Sequence, residues 1–144
     1  MSNPTLDSQE KALCRAINTF RAQHGLAPLQ VSVALTRSAE WMSHDMANHD
    51  SFPADHVDSH GREFDVRMVA FGYRPLTKAE TLAAGASSAS AALAQWKASP
   101  EHRAILLKSK LKVMGVGRAR NLDSTFDWYW TADFGGTVTK TMRI

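Results

Sequence analysis

The chain has 144 residues, 44% hydrophobic and 22% charged, with a formal charge of +3. That is enough chain to bury a sizeable core, so one domain is expected, with its core over about residues 7–136 and short tails on either side. No apolar run approaches the roughly 18 residues that would span a membrane. The first residues, MSNPTLDSQEKAL, lack a basic region followed by an apolar stretch and do not read as a signal peptide. The protein is therefore expected either to stay inside the cell or to have its leader outside this sequence. A single cysteine, Cys14, excludes an intramolecular disulfide, and its helical context suggests a half-buried packing residue.

Asp7 to His24 reads as an amphipathic helix, with Leu13, Ile17, Phe20 and His24 at three-to-four spacing. Asp7 or Ser8 is its cap and Gly25 its stop. After the turn Gly25–Leu29, a second helix is expected from about Ser32 to Asn48, with Leu35, Ala39, Met42 and Met46 inward. Pro53 and Gly61 bracket a loop, and Arg62 to Phe71 is expected as a short helix with Phe64, Arg67, Met68 and Phe71 in register. ETLAAGASS (80–88) reads as a loop. Ser90 to Ala98 is a helix with Leu93 and Trp96 inward, and Pro100 opens another, PEHRAILL, behind the N-cap Ser99. VMGVGRAR and FDWYWTADF, separated by the turn NLDS, form a β-hairpin. Helices first and strands last, without βαβ alternation, predict an α+β fold with an antiparallel sheet covered by helices.

Charge is unevenly placed. Lys97 to Arg120 holds seven basic residues and one acid, Glu101, a face suited to anionic lipid or a wall polymer. No nucleic-acid-binding motif accompanies it. His44 to Asp65 carries six acids against Arg62 alone, and its segment His44–His60 interleaves four histidines with four aspartates. Imidazole and carboxylate hold divalent cations and serve as general acids and bases. The five-residue spacing of His44 and His49 points them to different sides of a helix. His56 and His60 lie in a loop, where their spacing carries no chelating geometry. HExxH, P-loop, GxSxG and CxxC motifs are absent. Gly115 and Gly117 read as strand glycines that let another element pack closely. Glu80, among small and apolar residues, and His102, at a helix start, stand out as misplaced polar groups.

The ordered series Asn18–Arg21, Gly25–Leu29, Ala39–Met42, His56–Arg62, Ala70–Tyr73, Glu80–Gly85, Trp96–Arg103, Gly115–Gly117 and Tyr129–Gly135 resembles the CAP superfamily. That superfamily comprises cysteine-rich secretory proteins, antigen 5 and pathogenesis-related proteins, also called SCP-like domains. The likeness covers residues 13–135, and the lack of cysteines is similar to its bacterial branch. It implies a three-layer α-β-α sandwich around a mainly antiparallel central sheet. It also implies a cleft in which His56, Glu80 and His102 match the family's two histidines and its loop glutamate. Thr81 stands where the family has asparagine. The family's second acid has no clear counterpart: Ser99 occupies that neighbourhood, beside Glu101, and Ser99 is counted with the cleft.

Two imidazoles and a carboxylate make a set for Zn²⁺ or another divalent cation with an open position. The family implies an exported protein, secreted or in the periplasm or cell envelope. Its expected partners are a small ligand, a lipid, an envelope component or another protein, with no nucleic acid and no general catalytic activity. Two alternatives stand beside that reading. One is a metal-dependent hydrolase using His56, Glu80 and His102. The other is a structural or protein-interaction domain in which the three form a buried polar network.

Overall fold

The computed structural model describes residues 2–144 and contains five helices and five strands among them. Helix α1 (Ser8–Gln23) opens on a capping box in which the Asp7 carboxylate accepts from the Glu10 N–H and Glu10 accepts from the Asp7 N–H. Strand β1 (Gln30–Ser32) follows, then α2 (Val33–His49), capped by the Ser32 hydroxyl at Leu35 N–H. Next come α3 (Phe64–Ala70), β2 (Lys78–Ala84), α4 (Ala89–Ala98), α5 (Pro100–Leu106), β3 (Val113–Arg120), β4 (Trp128–Gly135) and β5 (Thr141–Met142).

The sheet order is β2-β4-β3-β1-β5. All pairings are antiparallel except β1 with β3. α2 and α3 cover one face, and α1, α4 and α5 the other. This is the three-layer sandwich. Leu13, Ile17 and Phe20 of α1 and Leu35, Ala39, Met42 and Met46 of α2 are buried there as expected, whereas His24, expected on the same stripe of α1, is exposed at the helix C-cap. Leu13, Ile17, Phe20 and Trp96 pack with Met114, Val116, Trp130 and Phe134 on one side of the sheet. Each such side chain contributes roughly 1.5–3 kcal/mol by leaving water.

The strand glycines behave as the sequence implies. A Cβ on Gly115 would stand 2.1 Å from the Thr36 backbone nitrogen, and one on Gly117 2.5 Å from the Glu40 backbone. Their absence lets α2 lie directly on β3. Cys14 is wholly buried, not half-buried, and burial pushes its thiol up to about 12.

Three expectations are corrected. The segment from Glu80 to Ala84, expected as a loop, belongs to β2, which pairs with β4 along its whole length. Helices cover both of its faces, so apolar and polar residues do not alternate. β1 extends the sheet beyond the predicted hairpin through two parallel pairs, too short to leave a pattern. Helix α3 starts at Phe64 rather than Arg62, because Asp58 holds Arg62 in the preceding loop through its N–H (3.1 Å) and its Nε (3.0 Å).

Candidate functional site

The dense histidine run does not converge. His44, His49 and His60 are exposed, and His60 rests edge-on against Trp41. Its aspartates are loop fasteners. Asp45 accepts from the N–H and hydroxyl of Ser59. Asp50 accepts from the Thr125 N–H and hydroxyl and from the Tyr129 hydroxyl. Asp58 holds Arg62 and Arg67.

Only His56 turns inward. Its φ of 62° lies in the left-handed region, uncommon for a residue with a Cβ. The conformation is pinned on both sides of Cα: the His56 N–H donates to Pro53 O (3.1 Å), and its carbonyl accepts from Arg67 Nη2 (2.7 Å). The ring then places Nδ1 2.9 Å from Glu80 Oε1.

Glu80 and Arg67 are both buried, and Arg67 binds the other Glu80 oxygen through Nη1 and Asp58 through Nε at 3.0 Å. The β2–β4 register sets Glu80 directly opposite Asp133, also fully buried. Two adjacent buried carboxyls do not both ionise. Burial, and then the Glu80 charge, push Asp133 well above the usual carboxylate range. Burial also raises Glu80, but Arg67 opposes this, so Asp133 takes the proton and Glu80 stays ionised. Burial alone would raise Asp58 as well; its hydrogen bonds from Arg62 and Arg67 reverse this and leave it lowered. The charges of Arg62 and Arg67 then balance those of Asp58 and Glu80.

His56 is held below the usual imidazole range by burial and by the Arg67 charge, so its ring is neutral near pH 7. Ionised Glu80 can only accept, which assigns the proton to Nδ1 and leaves Nε2 with a free lone pair. His102, in the first turn of α5, is likewise lowered by burial and by nearby His56. Both rings line a cleft of ≈ 250 Å³. Its remaining walls include Phe52, Pro53 and Ala54 from the 51–63 loop, Leu82 from β2 and Glu101 from α5. A larger groove of ≈ 640 Å³ runs beside α1, β1 and β5, but its only ionisable side chains are two arginines and Cys14.

The structure thus brings His56 and His102 to one cleft and joins His56 to Glu80, which lies behind the ring. Ser99 forms the N-cap of α5, and Glu101 rather than Ser99 reaches the cleft lining. The donor set suits a metal poorly. Both Glu80 oxygens are engaged, by His56 and by Arg67. Among the described residues no three His, Cys, Asp or Glu side chains are gathered to hold an ion. The residues missed from sequence are Arg67, Asp58 and Asp133. Their signals were an arginine on the inward stripe of α3 and a carboxyl inside the apolar strand WYWTADF.

These motifs, on this fold, are those of a known family. The chain belongs to the cysteine-rich secretory protein (CAP) family, whose model matches residues 14–134. It is 30% identical over 133 residues to the uncharacterized protein YkwD of Bacillus subtilis (strain 168), a match covering 92% of this chain and 49% of that protein. The chain therefore spans about half the length of that relative.

Among solved structures it is similar to an extracellular protein containing a SCP domain from Bacillus anthracis (TM-score 0.80, 23% identity, 94% of this chain and 45% of the other). It is also similar to an outer surface protein of Borrelia burgdorferi (TM-score 0.78, 19% identity, 93% and 98% covered). At these identities the likeness establishes the shared fold.

Proposed function

We propose that this domain is an exported binding module whose His56–His102 cleft takes a small ligand carrying hydrogen-bond donors. The observation that carries the reading is the His56–Glu80 hydrogen bond at 2.9 Å. It fixes the tautomer and leaves Nε2 as an acceptor in a cleft with apolar walls. Export is supported by the similar proteins, one extracellular and one an outer surface protein. Lys108, Lys110 and Lys112 are exposed between α5 and β3, and supply a separate basic contact for anionic envelope polymers.

The test is the melting temperature of the wild type, His56→Ala and His102→Ala with Zn²⁺, with short-chain phospholipid and with soluble cell-wall fragments. A shift with the phospholipid or the wall fragments that both variants lose upholds the cleft. Shifts equal in all three proteins, or none, overturn it. A Zn²⁺ shift lost in both variants would show two imidazoles acting as ligands without Glu80.

A second reading, hydrolysis, draws on the same hydrogen bond. Glu80 would orient His56 as a general base toward water. No Ser, Thr or Cys lines the cleft, so water is the nucleophile this reading requires. Ester or amide turnover that vanishes in a folded His56→Gln protein supports it, and turnover unchanged in that variant excludes it.

A further inference from the structure

At the mouth of the cleft two phenylalanine rings, tilted against each other, keep much of their surface in solvent. Phe52, which lines the cleft, is 44% exposed, and so is Phe126 on the β3–β4 turn, with ring centroids 5.9 Å apart. Leu122 on the same turn is 71% exposed. The Phe126 ring meets Tyr129 edge-on at 6.3 Å.

The two loops that carry the rings are tied together. Asp50, at the left-handed C-cap of α2, accepts from the Thr125 N–H at 2.8 Å, the Thr125 hydroxyl at 2.9 Å and the Tyr129 hydroxyl at 3.2 Å. Asn121 Nδ2 donates to Ala47 O at 2.9 Å from the other end of the turn. This bracing locks two apolar rings into solvent beside a polar cleft. An ordered exposed apolar patch of that kind marks a contact surface.

The surrounding charge identifies what fits. Asp55, Glu101 and Asp123 are exposed at this end of the molecule. Arg120, the turn's neighbouring cation, is paired with Asp127 at 2.9 Å. Of the exposed lysines, Lys108, Lys110 and Lys112 lie between α5 and β3, Lys97 lies in the last turn of α4 and Lys140 just before β5, none on the two loops that carry the rings. An anionic membrane or anionic polymer is repelled by such a rim. A neutral pyranose ring is complementary to it. Its axial C–H groups face the negative faces of aromatic rings, and its hydroxyls donate to carboxylates and to a neutral imidazole nitrogen.

We infer that the Phe52–Phe126 pair is a stacking platform for a neutral glycan chain, one sugar of which enters the His56–His102 cleft. The inference rests on the cleft reading above for the position of that inner sugar, while the platform stands on its own rings.

The experiment is calorimetric titration of the protein with hexamers of N-acetylglucosamine and of glucose, with phosphatidylglycerol vesicles in parallel. Saturable binding of either hexamer, weakened at least tenfold by Phe52→Ala and by Phe126→Ala, is the expected result. Asp50→Ala, which loosens the brace without removing a ring, should weaken it several-fold. Circular dichroism spectra matching the wild type confirm that these surface variants fold.

Hexamer binding lost in the phenylalanine variants but kept in His56→Ala and His102→Ala upholds the platform and overturns the placement of a sugar in the cleft. A cleft ligand confirmed by the melting test, with no hexamer bound at millimolar concentration, overturns the glycan inference and leaves the cleft standing. Hexamer binding indifferent to both rings, or vesicle binding that depends on them, also overturns it.

Discussion

Replacing Arg67 with methionine tests the buried charge balance behind His56. The side chain is fully buried and binds Asp58, Glu80 and the His56 carbonyl. Methionine keeps most of the volume and removes all of these bonds. Asp58 retains Arg62, but Glu80 is left buried against neutral His56 and protonated Asp133, and the His56 carbonyl loses its donor. Breaking a buried ion pair by removing one partner costs about 3–5 kcal/mol. For a chain of this size that is a fall in melting temperature of roughly 10–20 °C.

The loss should depend on pH. In the variant the folded-state pKa of Glu80 rises further above its unfolded value, since Arg67 no longer opposes the burial that already raises it. A carboxyl raised on folding is destabilising when ionised, so its cost is present at neutral pH and relieved as pH falls toward the unfolded value. Urea unfolding of both proteins at several pH values between 4.5 and 8 measures this. The expected difference is largest at pH 8 and shrinks on acidification. A difference under about 1 kcal/mol at pH 7, or one that does not change with pH, would refute the charge assignment.

Glu40 makes a second test of sign. Burial and the nearby Glu10 and Asp7 charges push it up to about 7. Its folded pKa is raised above the unfolded value, so its ionisation destabilises the fold increasingly as pH climbs from the usual carboxylate range to about 7, stays costly above that, and is relieved as pH falls; Glu40→Gln should flatten stability between pH 5 and 8, read by urea midpoints. Gly115→Ala forces a methyl into the α2 backbone and should cost about 1–3 kcal/mol or more, and a melting temperature within a degree of wild type would show that α2 can move away. Cys14 should resist thiol-reactive dye at pH 8 in the native state and react on unfolding in urea, because it is buried and its thiol is pushed up to about 12. Fast native labelling would mean that α1 opens locally.

What the sequence determined by itself is what depends on neighbours along the chain. α1 and α2 follow from apolar spacing, with a cap at Asp7 or Ser8 for the first and a start near Ser32 for the second; the structure settles the caps as Asp7 and Ser32. The β3–β4 hairpin follows from two apolar, β-prone runs around a turn, and Gly115 and Gly117 announce a close approach before the approaching helix is known. Glu80 and His102 were visible as polar residues in the wrong company, and the ordered motifs placed them with His56.

Tertiary structure decided the rest. β2 is invisible to periodicity because helices bury it on both faces, and β1 and β5 are too short to signal at all. The histidine run looked like the site because proximity in sequence imitates proximity in space. In the fold its aspartates staple loops, and one histidine is turned inward by a left-handed backbone and an arginine eleven residues away. Arg67, Glu80 and Asp133 come from a helix and two strands, and nothing local requires them to meet. Strand register sets Glu80 against Asp133, burial forces that pair to share one charge, and the shared charge fixes which nitrogen of His56 faces the cleft.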